Sequence, residues 1–193
     1  MAPIYEMGWD GKTYKDIGRA KLPRGLSING LSPFTYEGKT YYAFIDSDFR
    51  LKVMDPQGKV IWRSKETYGS DNRVRTKPMP ASTGPQYSDD LFFVNTRLRS
   101  RGNEIFILKN ISPIGEFFER ARMYTKGEVQ RLAWTGAMFM ETRKSQEIAG
   151  YLADFEFQGL NREGEKTLVL AVNLPREGLI GGEKTSALLV SRL

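Results

Sequence analysis

Three stretches of this chain repeat one another, and a repeat limits the possible architecture more than any single motif does. Residues 27–46, 90–110 and 151–173 each read as an extended run, a polar loop with a late glycine, an apolar run and a closing Asp or Asn. The loop glycines Gly38, Gly102 and Gly164 lie 64 and 62 residues apart, and the closing residues are Asp46, Asn110 and Asn173. A second element recurs at twice that period. Trp9-Asp10-Gly11 with Tyr14 and Gly25 matches Trp134-Thr135-Gly136 with Phe139 and Gly150, every pair shifted by 125. A unit of this size cannot bury both of its faces alone, so successive copies must stack.

Inside the copies the periodicity is that of strands. Short apolar or alternating runs at 41–46, 51–54, 60–62, 91–94, 105–108, 168–172 and 187–190 are rich in Val, Ile, Phe and Tyr. Such side chains suit a pleated, half-buried surface. Asp10-Gly11 predicts a two-residue hairpin turn, since that turn needs positive φ. Asp55-Pro56-Gln57-Gly58 predicts a turn with Pro second and Gly fourth. The stretch 114–124 has the only helical spacing, but it also alternates: Phe118, Arg120 and Arg122 oppose Phe117, Glu119 and Ala121. It is read as a strand.

Four strands in a period of this length are the signature of propeller blades. The expected fold class is all-β, a partial β-propeller of about three four-stranded antiparallel blades. It forms a single propeller-like domain, 1–193, with a hairpin at 3–19, a blade at 26–65, a blade at 88–145 with an insertion at 111–126, and a partial blade at 150–193. So few blades leave the ring open, and its uncovered faces and edges are association sites. The last blade has three strands and takes its fourth from the N-terminal hairpin or from another chain.

Composition narrows the chemistry. The 193 residues contain no cysteine and no histidine, which excludes a disulfide scaffold, thiolate metal sites, a cysteine nucleophile, a serine–histidine triad and histidine-held zinc. No apolar run approaches the ~18 residues of a transmembrane helix. The start, Met1 to Tyr5, has no basic flank and no apolar core, so it is not read as a signal peptide. The chain is then either cytosolic or a piece of a longer exported protein.

The run Tyr151-Leu152-Ala153-Asp154-Phe155, a loop, and Lys166-Thr167-Leu168-Val169-Leu170-Ala171-Val172 resembles the FG-GAP/VCBS repeat of integrin-like β-propellers. That pattern is a strand ending in Ala-Asp-Phe, a calcium loop and an apolar strand. The matching residues are Ala153, Asp154, Phe155, Gly164 and the run 168–172. Residues 51–62 are similar to the Asp…Gly-Lys-Val-x-Trp strand pair of quinoprotein-like propeller repeats, but a single repeat does not carry quinone binding with it. The resemblance implies the C-terminal part of a bacterial cell-envelope protein, periplasmic or associated with the outer membrane. It also implies a calcium loop with aspartates at alternating positions, and there this sequence departs. The loops at 35–38, 96–102 and 158–164 keep the glycine but few carboxylates. Asp154, Glu156, Asn161 and Glu163 are the only set that approaches a site, so no metal and no cofactor are expected.

Arg97-Leu98-Arg99-Ser100-Arg101 is the best candidate binding segment. Arg97, Arg99 and Arg101, with Arg73, Arg75 and Lys77 nearby in sequence, suit phosphate or an acidic glycan, because arginine matches planar bidentate acceptors. The bland alternative is a solvated charged loop. Trp9, Trp62 and Trp134 are read as packing at blade junctions more than as sugar-stacking rings. Asp46, Asp48 and Asp55 are close enough in sequence to suggest an acid/base pair, but Asp46 and Asp55 are read as strand ends and no second carboxylate cluster faces them; Ser88-Asp89-Asp90 is read as a turn, and no catalytic residue is assigned. The expected function is a non-enzymatic binding or scaffolding module with a protein or acidic-glycan partner, or upstream blades or a second copy. The alternatives are a glycan-acting propeller enzyme and a nucleic-acid-binding β module. A net charge of +6 is a modest excess for the latter.

Overall fold

The computed structural model describes residues 5–20, 22, 26, 30–46, 48–68, 72–75, 91–94, 96–112, 124–158, 167–174 and 185–192, with 72–75, 91–94, 158 and 192 described by backbone only. These residues are all-β. Strands make up 70% of them and none is α-helical. The stretch 114–123, the loop 159–166 with Asn161 and Glu163, and Lys77 and Ser88–Asp90 lie outside the described residues.

Three consecutive meanders form the body. The first is a four-stranded antiparallel sheet of β3 (Leu31–Tyr36), β4 (Lys39–Ile45), β5 (Arg50–Met54) and β6 (Val60–Thr67) in chain order. The middle sheet runs β9 (Arg99–Arg101), β10 (Glu104–Ile111), β11 (Lys126–Trp134) and β12 (Phe139–Lys144), with β13 (Ile148–Ala149) pairing the start of β11. The last sheet is β14 (Tyr151–Gln158), β15 (Thr167–Asn173) and β16 (Ser186–Arg192). Two hairpins stand apart: β1 (Tyr5–Trp9) with β2 (Tyr14–Arg19), and β7 (Asn72–Arg75) with β8 (Leu91–Val94). The run 91–94, expected to open the second blade, therefore pairs with 72–75, and the middle sheet begins at Arg99. None of the sheets closes on itself.

The middle sheet is buried on both faces, and this sets the order of the stack. Ile105, Ile107, Leu132, Trp134 and Phe139 face the first sheet and share a core with Phe34, Ala43, Ile45, Leu51 and Val53. Leu108 and Val129, with Phe106 beside them, face the last sheet and pack on Leu152, Phe155, Leu168, Leu170 and Val172. Alternation along β10 thus assigns odd residues to one neighbour and even residues to the other. Rings fill the first core: Trp134 lies 5.2 Å from Phe139, 6.0 Å from Phe34 and 6.1 Å from Trp62, centroid to centroid.

Side chains also tie sheet to sheet. The Asn110 amide lies alongside the backbone of Leu152 as a strand would: Nδ2 donates to the Leu152 carbonyl at 2.9 Å, and the Leu152 N–H donates to Oδ1 at 2.8 Å. At the other junction the Tyr36 hydroxyl donates to the Thr135 carbonyl at 3.2 Å.

Two expectations about the turns need correction. The first concerns register. Gly38 is the second residue of the Glu37-Gly38 turn between Tyr36 and Lys39, whereas Gly102 is the first residue of the Gly102-Asn103 turn between Arg101 and Glu104. Matching glycine to glycine therefore slips the first copy by one residue and turns every side chain to the opposite face. The second concerns the hairpins. Asp10-Gly11 is part of a four-residue loop, since Trp9 pairs with Tyr14. The Asp10 carboxylate accepts the N–H groups of Lys12 and Thr13, at 2.9 and 2.8 Å, and so stabilises the longer turn.

The 125-residue repeat is reproduced in the backbone pairing. Tyr5↔Arg19, Glu6↔Gly18, Met7↔Asp16 and Trp9↔Tyr14 correspond to Gln130↔Lys144, Arg131↔Arg143, Leu132↔Glu141 and Trp134↔Phe139. Even the bulge recurs, between Glu6 and Met7 and between Arg131 and Leu132. Packing at a blade junction, expected of both tryptophans, holds for only one of them. Trp134 is 1% exposed and Trp9 is 59% exposed. The cause is what covers each hairpin: the first sheet packs on β11–β12, and no described element packs on β1–β2, whose strand residues are nearly all exposed.

Candidate functional site

The arginine segment lies where the first strands of the three meanders meet. Leu98 is buried in the first core and fixes the segment, so Arg97 and Arg99 project to the same side. Ser100 binds back to the first sheet: its hydroxyl meets the Pro33 carbonyl and lies 3.0 Å from the Ser32 hydroxyl. The Thr35 N–H donates to the Gly102 carbonyl at 2.9 Å and closes the same junction.

On the other side the guanidinium groups meet β14. Arg97 Nε lies 3.3 Å from Asp154 Oδ2. Arg99 grips Glu156 in a fork, with Nε 3.1 Å from Oε1 and Nη2 on Oε2. That fork holds the Glu156 carboxyl below the usual glutamate range, despite opposing desolvation, and the Phe157 N–H and the charge of Arg97 act in the same direction. Arg101 is exposed on β9. Of the three candidate arginines, two are thus paired within the chain and the third faces solvent. Side chains of Arg73 and Arg75 are not among those described.

These pairs also bear on the calcium pattern. Asp154 and Glu156, the carboxylates that align best with the resembled loop, each face a guanidinium group. Each of these two carboxylates thus already has a permanent cation as its partner. Among the described residues no group of three or more acidic side chains converges.

The other singled-out carboxylates organise turns. Asp46 Oδ1 accepts the N–H groups of Asp48 and Arg50, at 3.0 and 2.9 Å, and Oδ2 lies 2.7 Å from Lys52 Nζ. Partial burial pushes the Asp46 carboxyl up, but Lys52 and the two amides outweigh it and hold it below its ordinary value. Asp48 pairs with Arg63 at 3.1 Å. Asp55 Oδ1 accepts Gln57 N–H at 3.0 Å and Lys59 N–H at 2.8 Å. All three are engaged with neighbours on their own meander.

The feature that sequence reading missed is an open aromatic face. Tyr5, Met7, Trp9 and Tyr14 are large, apolar and more than half exposed on β1–β2, and Trp9 and Tyr14 lie 5.0 Å apart, centroid to centroid. Strand alternation alone could not find it, because a hairpin with one apolar face reads the same whether or not a sheet covers it. No helix among the described residues is long and apolar enough to cross a membrane. No protein family, curated protein or solved structure matches the chain.

Proposed function

We propose that this chain is a non-enzymatic binding or scaffolding module of the bacterial cell envelope, a partial propeller of about three blades built on FG-GAP/VCBS-like repeats. The observation that carries the binding role is the hairpin β1–β2: it repeats the pairing of β11–β12, yet the aromatic face that is buried there is open here. An open aromatic strand pair presents large, rigid contact area with little side-chain entropy to lose, the kind of surface that marks an interaction site. The charged candidates support a protein partner over an acidic glycan, since Arg97 and Arg99 already have carboxylate partners. The envelope setting rests on the repeat resemblance.

Photo-crosslinking from the hairpin tests the reading. A Trp9→p-benzoylphenylalanine variant, irradiated in the cells that make the protein, gives a discrete protein adduct. The same probe at Lys65, exposed on β6, does not. No adduct at position 9, or turnover of polysaccharide by the purified chain, overturns it.

A further inference from the structure

Two strand faces of the chain are uncovered, and the repeat makes them complementary. One belongs to the hairpin, which stands apart from the three stacked sheets. In the copy at β11–β12, Leu132, Trp134 and Phe139 are the side chains that receive the preceding sheet. Their counterparts at the offset of 125 are Met7, Trp9 and Tyr14, which are open. The hairpin therefore exposes the kind of face that a preceding sheet covers.

The other belongs to the last sheet. Its Leu168 and Leu170 point back to the middle sheet, so Val169 and Ala171 point away. Across the β15–β16 ladder these meet Val190 and Leu188, which are 67% and 73% exposed. The equivalent side of β10, Phe106 and Leu108, is the side on which the next sheet packs. The last sheet therefore exposes the kind of face that a following sheet covers. Within one chain both faces are open at once, so each is available to another molecule.

We infer that the β1–β2 hairpin of one copy of this chain stacks on the outward face of β15–β16 of a second copy, head to tail. The contact continues the sheet-on-sheet interface already present twice inside the chain. Apolar strand faces on both partners supply the area. A Cβ placed on Gly11 would meet nothing within 4 Å, so this turn leaves room for a side chain to reach it as Tyr36 reaches Gly136. The inference rests on the binding-module reading but commits it to one occupant.

Sedimentation of the whole chain over a dilution series tests it, with Trp9→Lys and Leu188→Lys as the two variants. Both side chains are exposed, and circular dichroism checks that each variant keeps its strands. Met7→Lys and Val190→Lys replace either variant that does not. Wild type is expected to associate with rising concentration. Each variant alone is expected to associate ~10-fold or more weakly, as for loss of an interface anchor. Mixed in equal amounts, the two are expected to form a two-chain complex, because one intact hairpin and one intact β15–β16 face survive between them. Wild type that stays monomeric overturns the inference, as does a mixture that fails to pair. Association that survives Leu188→Lys points to a hairpin-to-hairpin contact and overturns it too. A monomeric wild type that still gives a Trp9 photo-adduct with a different protein sinks this inference and leaves the binding-module reading standing.

Discussion

Gly127 sits directly across from Asn110 in the β10–β11 pair, and a Cβ at that position would lie 2.9 Å from Asn110 Oδ1 and 2.8 Å from Leu152 Cγ. Any side chain there would push apart the two groups that lock the middle sheet to the last one. Gly127→Ala is expected to lower stability by about 1–3 kcal/mol, as overpacking does, seen as a lower urea midpoint. Asn110→Ala removes both partners of the Leu152 backbone and is expected to cost about 1–3 kcal/mol. The two losses should not add in the double variant, since they break one contact. The tryptophans give a sharper contrast. Trp134→Ala is expected to cost about 3–5 kcal/mol, whereas Trp9→Ala should stay within about 0.5 kcal/mol in the isolated chain. Asn110 was visible in the sequence as the closing residue of a repeat, but its role was not. That role depends on Leu152, forty-two residues on, and on the absent side chain at Gly127, which belongs to no motif.

Each meander is made from neighbours in sequence, and for that reason its strands were readable. Alternation at 41–45, 105–108 and 168–172 follows burial on two sides of a sheet, and among the described residues the last sheet has three strands, with the hairpin in a sheet of its own and not supplying a fourth. What alternation could not supply was the absolute face, because a glycine can occupy either position of a tight turn. The slip between Gly38 and Gly102 is of that origin. The same limit hid the pairing of 72–75 with 91–94, a ladder closed across a long connection. The β1–β2 hairpin carries a titration signature of its own. Lys15, at 2.8 Å, and the amides of Thr13 and Lys12 hold the Asp10 carboxyl at about 2. NMR of the folded chain should show Asp10 titrating near that value, and Lys15→Ala should move it back toward 3.8. An Asp10 that titrates normally in wild type would mean that this turn does not form.

Across the whole molecule, charged pairs bridge the sheets that apolar side chains hold together. Arg99 keeps Glu156 ionised below its usual range, so the pair's contribution is fully present above the unfolded glutamate value of about 4.3 and fades as pH falls through the lower folded value. Glu156→Gln is therefore expected to lose less melting temperature than wild type between roughly pH 5 and pH 3. The difference should be small and shrink with salt, since Glu156 is half exposed. Calcium should not raise the wild-type melting temperature, because the guanidinium groups of Arg97 and Arg99 face the carboxylates that calcium would require. An upward shift on adding calcium, reversed by chelator, would show that these pairs open. The exposure of the three indoles differs with what covers each: Trp9 open on the hairpin, Trp62 partly buried at the edge of the first core, Trp134 enclosed within it. Their fluorescence should therefore come in layers, with a red-emitting fraction that acrylamide quenches first and a blue fraction that it reaches last. Anything that comes to cover the hairpin would announce itself by erasing the red layer alone, so the chain carries an optical gauge of its own occupancy without any added label.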